Sequence, residues 1–261
     1  MIKKIDFSKR SSIKIGPIVG VYQIKDLNYP KDAILIGNAN NLLISPTPPP
    51  LMMLSKKFDY IKQDGEKLII GAATPSGKIV SYCRKHNIAN FEFLSNLPGT
   101  LGGIIKMNAG LKEYEIFNNI LAVNIAGKLI EKKNIEYGYR YTNINDVIFE
   151  AHFKIEDGFK NIRVEEFKVM RSNQPKEPSA GSCFKNPPNE YAGHLIEEVG
   201  LKGKRIGNMS FSSVHANFLV NLGGGTYQEA TFLIDEAKKK IYEKFNIEIE
   251  EEIIVIDLLK N

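Results

Sequence analysis

The stretch DVIFEAHFKIE, residues 146–156, places Val147, Phe149, Ala151, Phe153 and Ile155 at every second position. Side chains two apart share a face only in an extended chain, so the segment predicts a strand with one buried face. Further on, TYQEATFLIDEAKKKIYEKF (226–245) sets Ala230, Leu233, Ile234, Ala237 and Ile241 at helical spacing, with Thr226 and Glu229 placed as a capping box. A chain that carries both periods must bury pleated faces against helical stripes. The remaining segments alternate in the same way, and the predicted class is α+β, small mixed sheets with helices against them.

DAILIG (32–37) and KLIIGAA (67–73) are short apolar runs that predict buried strands. TPSGKIVSYCRKHNI (74–88) predicts a helix with Thr74 as N-cap and Pro75 in its first turn. LAVNIAGKLIE (121–131) predicts a strand, a turn and a strand, and NIRVEEFKVMRSNQ (161–174) a helix. NEYAGHLIEEVGLKG (189–203) predicts a helix with Ala192, Leu195, Ile196 and Val199 as its stripe and Gly200 as its C-terminal cap. IEIEEEIIVIDLL (247–259) predicts a closing strand, and SPTPPP (45–50) a stiff extended loop. A composition break near 157–163 marks the best internal boundary, and there is no internal repeat.

Composition excludes several classes. The 261 residues are 43% hydrophobic and 25% charged, enough for a buried core and too apolar for wholesale disorder. The net charge of +5 comes from 35 basic and 30 acidic side chains interleaved along the chain, with no nucleic-acid motif, so anionic small ligands fit better than a duplex. The two cysteines do not make a disulfide framework, and Cys83 with His86 lacks the second ligand pair a zinc site needs. MIKKIDFSKR has no signal-like apolar run, and no window is long and apolar enough to span a bilayer. A soluble cytoplasmic protein is expected, without metal, membrane or nucleic-acid partner.

Six segments could carry chemistry. IGNANNLLI (36–44) and NLPGTLGGIIKMNAG (96–110) are polar and glycine-rich; they read either as tight turns or as backbone nests for phosphate. Neither is the G-x-G-x-x-G dinucleotide fingerprint. EYGYRYTN (136–143) sets Arg140 among tyrosines, as a surface-packed stem or a carboxylate clamp. PSAGSCFKNPP (178–188) reads as a connector or a site. SSVHANFLVNLGGGT (212–226) alternates His215, Asn217 and Asn221 with apolar residues, as a strand with a polar face or a site wall. Glu248, Glu250, Glu251 and Glu252 head the last segment as a solvated edge, although in a strand Glu252 would share a face with Ile254 and Ile256.

The order LPGTLGGIIKMNAG, YGYR, PSAGSCFKNP, HANFLVN and FNIEIEEEI, covering about Ile34 to Ile256, resembles the UDP-N-acetylenolpyruvoylglucosamine reductase (MurB) family. The resemblance implies two FAD-binding α+β subdomains of the vanillyl-alcohol-oxidase type, 1–60 completed by 250–261 and then 61–160, and a substrate-binding domain at 161–249. It implies NADPH as hydride donor, transfer through FAD N5 to C3 of the enolpyruvyl group and protonation at C2, giving UDP-N-acetylmuramate for peptidoglycan. The family's catalytic arginine falls on Arg140, its proton-donor serine on Ser182 and its glutamate on Glu252. The cofactor loops fall on Gly37, Asn38, Ala39, Asn40, Asn41 and Leu42, and on Pro98, Gly99, Thr100, Gly102, Gly103, Asn108 and Ala109. Tyr139, Lys185, Asn186, His215 and Asn217 are the expected substrate contacts, with Lys185 placed to steady a Ser182 oxyanion and Asn186 to meet a diphosphate.

The chain departs from the family pattern Gly-x-Gly-Ser-Asn-Leu-Leu: Ala39 stands for a glycine and Asn40 for a serine. A helix usual before AILIG is missing, and no insertion carries an extra closing tyrosine, which implies the shorter subtype; the expected partners are small molecules, with the protein a monomer. Two other functions stay in view: a different oxidoreductase of the same flavin superfamily, and a nucleotide-sugar binder without catalysis.

Overall fold

The alternation at 146–156 becomes the strand Ile148–Lys154, central to a five-stranded sheet in the order Lys128–Glu131, Ile120–Ile125, Ile148–Lys154, Lys67–Gly71, Ile61–Asp64. All neighbours run antiparallel. The computed structural model describes residues 1–259. Register sets Ala151 between Val123 and Ile70, and these side chains with Leu68 and Phe153 form one buried face. Against it pack the helix Ser76–Lys85 through Ile79, Val80 and Cys83, and the short helix Leu101–Lys106 through Leu101, Ile104 and Ile105. Each fully buried aliphatic chain here contributes about 1.5–3 kcal/mol relative to exposure. A smaller cluster of Ile24, Tyr29, Ala33, Met52, Val147 and Phe149 lies with parallel pairing of Val21–Ile24 and of Ile34–Leu35 to Leu51–Leu54.

These elements belong to the first of two compact units, 1–3, 21–38 and 51–172. The second holds 4–20, 39–50 and 173–261. The sequence divides the chain at 60, 160 and 249; the compact units divide instead at 172, and two N-terminal stretches join the C-terminal unit.

In the second unit a sheet runs Ser179–Ser182, Phe218–Asn221, Met209–Phe211, Arg205–Ile206. The helix Tyr227–Phe245 buries Ala230, Leu233, Ile234, Ala237 and Ile241, the stripe the periodicity predicts, and both halves of its capping box form. The helix Ala192–Glu198 adds Leu195 and Ile196. Leu42–Ile44 pairs in parallel with Ile254–Ile256.

Three local expectations change. The closing strand is confined to Ile254–Ile256, since only those residues have a partner strand. Thr74 does not cap its helix; Pro75 is the cap residue, and the buried Thr74 hydroxyl donates to the Tyr60 carbonyl at 3.1 Å. The glycine-rich stretch 96–110 is more than turns, for it holds the helix Leu101–Lys106.

Candidate active site

Ser182 ends its strand just after a register shift in the pairing with Phe218–Asn221. Gly181 takes φ +83° at that irregularity, a conformation L side chains seldom adopt. The bulge re-aims the residue that follows it. The next two side chains, Cys183 and Phe184, are fully buried and act as pegs. Burial pushes the Cys183 thiol far up, with Glu251 and Glu252 adding to it, so this cysteine is inert at neutral pH.

The backbone beyond Ser182 is held on two sides. On one, Cys183 N–H donates to the Asn217 carbonyl at 2.7 Å, and the Asn217 side chain accepts from Phe184 N–H at 3.0 Å and donates to Phe184 C=O at 2.8 Å. On the other, Glu252 N–H and Ile253 N–H donate to the Cys183 carbonyl at 2.9 and 3.2 Å, and Lys185 N–H donates to the Glu250 carbonyl at 2.9 Å. Ser182 and Glu252 therefore flank one residue of backbone. Asn41 closes the arrangement: its side chain donates to the Glu252 carbonyl at 2.8 Å, and its own carbonyl accepts Ile254 N–H at 2.9 Å.

Arg140 lies in the first unit. Tyr137–Gly138 and Tyr141–Thr142 pair as a hairpin, with Tyr139 and Arg140 as its connection. Arg140 takes φ +54°, a left-handed conformation unfavourable for a residue with a Cβ. Its guanidinium stands 5.0 Å from the Tyr139 ring and reaches the Gly110 carbonyl at 3.5 Å. The turn is tied to the glycine-rich segment, since Asn108 donates to the Gly138 carbonyl at 3.0 Å and Thr142 to the Lys106 carbonyl at 2.9 Å.

The expected cofactor residues divide between the units. In the first, Gly37 and Thr100 are adjacent: a Cβ on Gly37 would stand 3.2 Å from Thr100 Oγ1. Gly102 lies against Ala72, whose side chain a Cβ would meet at 3.2 Å, and its N–H donates to the Ala72 carbonyl. Gly103 instead faces open space. Pro98, Gly99 and Ala109 lie on the backbone around this helix, and Gly99 C=O accepts Ser76 N–H. The Asn108 side chain is spent inside the protein, on Glu115, Gly138 and Phe117 N–H, so only its backbone is left for a ligand. Asn38 ends this unit's share. In the second unit Ala39 takes φ +58°, Asn40 donates to Ser12 at 2.7 Å, and Leu42 begins the parallel strand. Among the described residues the buried Asn40 Oδ1 and Ser45 Oγ have no hydrogen-bond partner. Within the second unit such orphaned buried polar atoms suit a polar ligand, and within the first the open space at Gly103 leaves room for one to approach the backbone.

The expected substrate contacts divide too. Tyr139 is exposed, and Lys185 pairs with Glu250 at 2.6 Å. Asn186 accepts Ala192 N–H at 3.1 Å, the first amide of the helix Ala192–Glu198. His215 is half-buried; its Nδ1 accepts Asn217 N–H at 3.3 Å, and burial lowers its basicity. Asn217 is only 4% exposed, and both ends of its amide are bonded within the protein. Asn221, absent from the expected substrate contacts, holds Ile13 C=O, Gly223 N–H and Gly225 N–H. Its alternation with apolar residues is the signal the sequence carries for it. Among the described residues no group of three or more His, Cys, Asp or Glu could hold a metal, and no helix is long and apolar enough to cross a membrane.

Residues 174–256 match the model of the UDP-N-acetylenolpyruvoylglucosamine reductase C-terminal domain. The reductase of that name from Helicobacter hepaticus is 46% identical over 97% of this chain and 98% of its own, and that of Campylobacter jejuni 44% over 97% and 99%. The crystal structure of UDP-N-acetylenolpyruvylglucosamine reductase (MurB) from Thermus caldophilus superposes with a TM-score of 0.87 at 26% identity, covering 98% of this chain and 99% of that one. With near-complete coverage at this identity, and with Ser182, Glu252 and Arg140 presented as described, the chain belongs to the UDP-N-acetylenolpyruvoylglucosamine reductase family.

Proposed function

We propose that this protein reduces UDP-N-acetylglucosamine enolpyruvate to UDP-N-acetylmuramate, a peptidoglycan precursor, using FAD and NADPH. The carrying observation is the Cys183 node, where the Ser182 segment and Glu252 share one backbone carbonyl. FAD, when bound, would accept hydride from NADPH and deliver it to C3 of the enolpyruvyl group. Gly37, Asn38, Ala39, Asn40, Asn41 and Leu42, with Pro98, Gly99, Thr100, Gly102, Gly103, Asn108 and Ala109, would hold it.

The protein's own part is charge and proton. Addition at C3 leaves negative charge on C2 and the adjoining carboxylate. Arg140 provides a permanent cation for that carboxylate, and the Glu252 carboxyl is the group positioned to hydrogen-bond the same charge when it carries a proton. Ser182 Oγ gives its proton to C2, and Lys185, three residues on, steadies the oxyanion left behind. Tyr139 and His215 serve as substrate contacts, one from each unit, and Asn186 retains its amide N–H groups for a diphosphate oxygen. On this reading the enzyme is a cytoplasmic monomer acting on small molecules.

The test is anaerobic absorbance of the protein loaded with FAD and desalted. NADPH should bleach the flavin bands, and the enolpyruvyl substrate should restore them. A bleach that this substrate does not reverse would assign the chain to another flavin reaction, and no retained flavin would favour a binding-only homologue.

A further inference from the structure

We propose that Asn217 is a positioning residue for proton transfer: its side-chain amide holds Phe184, and through Cys183 it fixes where Ser182 points. The inference rests on Ser182 being the proton donor.

The need arises from backbone accounting. The strand Ser179–Ser182 stops before Cys183, so the sheet ladder no longer serves the groups of Phe184. Phe184 is fully buried, and an unmatched N–H or C=O there would carry a full desolvation cost. A carboxamide offers one acceptor and two donors in a plane, the pattern a neighbouring strand residue would present. Asn217 supplies that pattern, with Oδ1 on Phe184 N–H at 3.0 Å and Nδ2 on Phe184 C=O at 2.8 Å. Its main chain adds the bond from Cys183 N–H at 2.7 Å and the bond to His215 Nδ1 at 3.3 Å. Opposite it, Glu250, Glu252 and Ile253 pair with Lys185 and Cys183. Residues 183–185 are thus a short extra strand gripped between one side chain and one backbone, with Ser182 at its head.

Both amide ends are occupied and the residue is buried, so direct substrate contact through the Asn217 side chain, expected from the sequence, gives way to this role. Proton transfer needs a donor within hydrogen-bond reach of the carbon it serves, and misplacement of about 1 Å can cost about a hundredfold in rate.

The decisive substitution is Asn217→Asp. An ionised carboxylate keeps the bond from Phe184 N–H but sets a second acceptor against Phe184 C=O; a protonated one restores the donor. Substrate-driven flavin reoxidation should therefore slow about a hundredfold at about pH 8 and recover towards wild type near about pH 5, while NADPH-driven reduction stays within about twofold throughout. The surrounding titratable groups are His215, Cys183, Lys185, Glu250, Glu251 and Glu252. They are common to both proteins, so the ratio to wild type at each pH isolates position 217. Equal reoxidation at both pH values, or a loss without acid recovery, overturns the inference.

If Asn217→Asp does not fold, Asn217→Ser removes the clamp without a charge. Hydrogen exchange at the Phe184 amide should then accelerate while the helix Tyr227–Phe245 stays protected, with a loss confined to reoxidation. Unchanged exchange, or equal loss in both half-reactions, overturns it. Wild-type flavin that the enolpyruvyl substrate fails to reoxidise would sink the reductase reading itself, and the inference with it.

Discussion

Arg140 stands at the second position of a two-residue turn, in a left-handed conformation, beside the exposed rings of Tyr137, Tyr139 and Tyr141. Ser182 is followed by two fully buried side chains and by backbone bonded on both sides. On the proposed roles, one group is held by a strained surface turn and the other by a buried grip. The difference follows from what each delivers. A cation acts through a field that falls off gradually with distance, so a long side chain on a turn suffices. A proton donor works only at hydrogen-bond distance, so its backbone has to be fixed. Arg140 occupies a left-handed position where glycine would fit more easily, which agrees with the role proposed for its side chain.

The contrast breaks most directly at Ser182. Ser182→Ala should slow substrate-driven reoxidation by about 10²–10⁴-fold, the usual worth of a positioned general acid, and leave reduction by NADPH intact. Wild-type rates in both half-reactions would take Ser182 out of the mechanism. Next in size is the grip. Phe184→Ala should cost about 3–5 kcal/mol in urea unfolding, the range for deleting a buried ring, and the surviving folded protein should be slow in reoxidation. A loss of stability with normal reoxidation would show that the peg serves the core and not Ser182. Arg140→Gly should behave oppositely, losing turnover while gaining about 0.5–1 kcal/mol of stability as the left-handed strain is relieved. Destabilisation there would mean that the ring and carbonyl contacts outweigh the strain.

Acidification probes the grip more gently. Burial lowers the basicity of His215, so the folded state favours the neutral ring whose Nδ1 accepts Asn217 N–H. The unfolded chain takes up the proton first. Stability should hold above the ordinary histidine value of about 6.5 and decline as pH falls from there through the depressed folded value. The check is the urea midpoint against pH in wild type and His215→Gln; an identical acid limb in the two would remove His215 from the account.

What the sequence disclosed was local. The helix Tyr227–Phe245 carries its own stripe and its own capping box, and the hairpin of Ile120–Ile125 with Lys128–Glu131 carries its own turn. Such elements depend on residues within a few positions. Long-range choices were hidden. The acidic run before Ile254 reads as the head of a strand, yet residues 250–253 pair with the Ser182 segment, and only Ile254–Ile256 finds a strand at Leu42–Ile44. Thr74 looks like a cap until Tyr60 offers a carbonyl. Asn217 looks like one polar position in an alternating strand, and nothing nearby in sequence says that Phe184 is its partner. The proposed site residues follow from the order of five motifs; how they are held is visible only in the fold.

The smallest expected effect is at another left-handed residue, Ala39. Its φ of +58° matches that of Arg140, and the family pattern places a glycine there. The surroundings differ, for Ala39 is 1% exposed and its carbonyl accepts Ser12 N–H at 3.2 Å. Ala39→Gly would relieve about 1–2 kcal/mol of left-handed strain. It would also lose about 0.8 kcal/mol of methyl burial and about 0.4–1 kcal/mol through the freer unfolded chain. These opposing terms leave a net change below about 1 kcal/mol, whereas in Arg140→Gly the strain relief is set against a half-buried side chain and its Tyr139 and Gly110 contacts. Side-by-side urea titrations of the two glycine variants measure the difference. Equal gains would mean that the Ala39 methyl contributes no packing, and that its burial does not explain why alanine is tolerated where the family uses glycine.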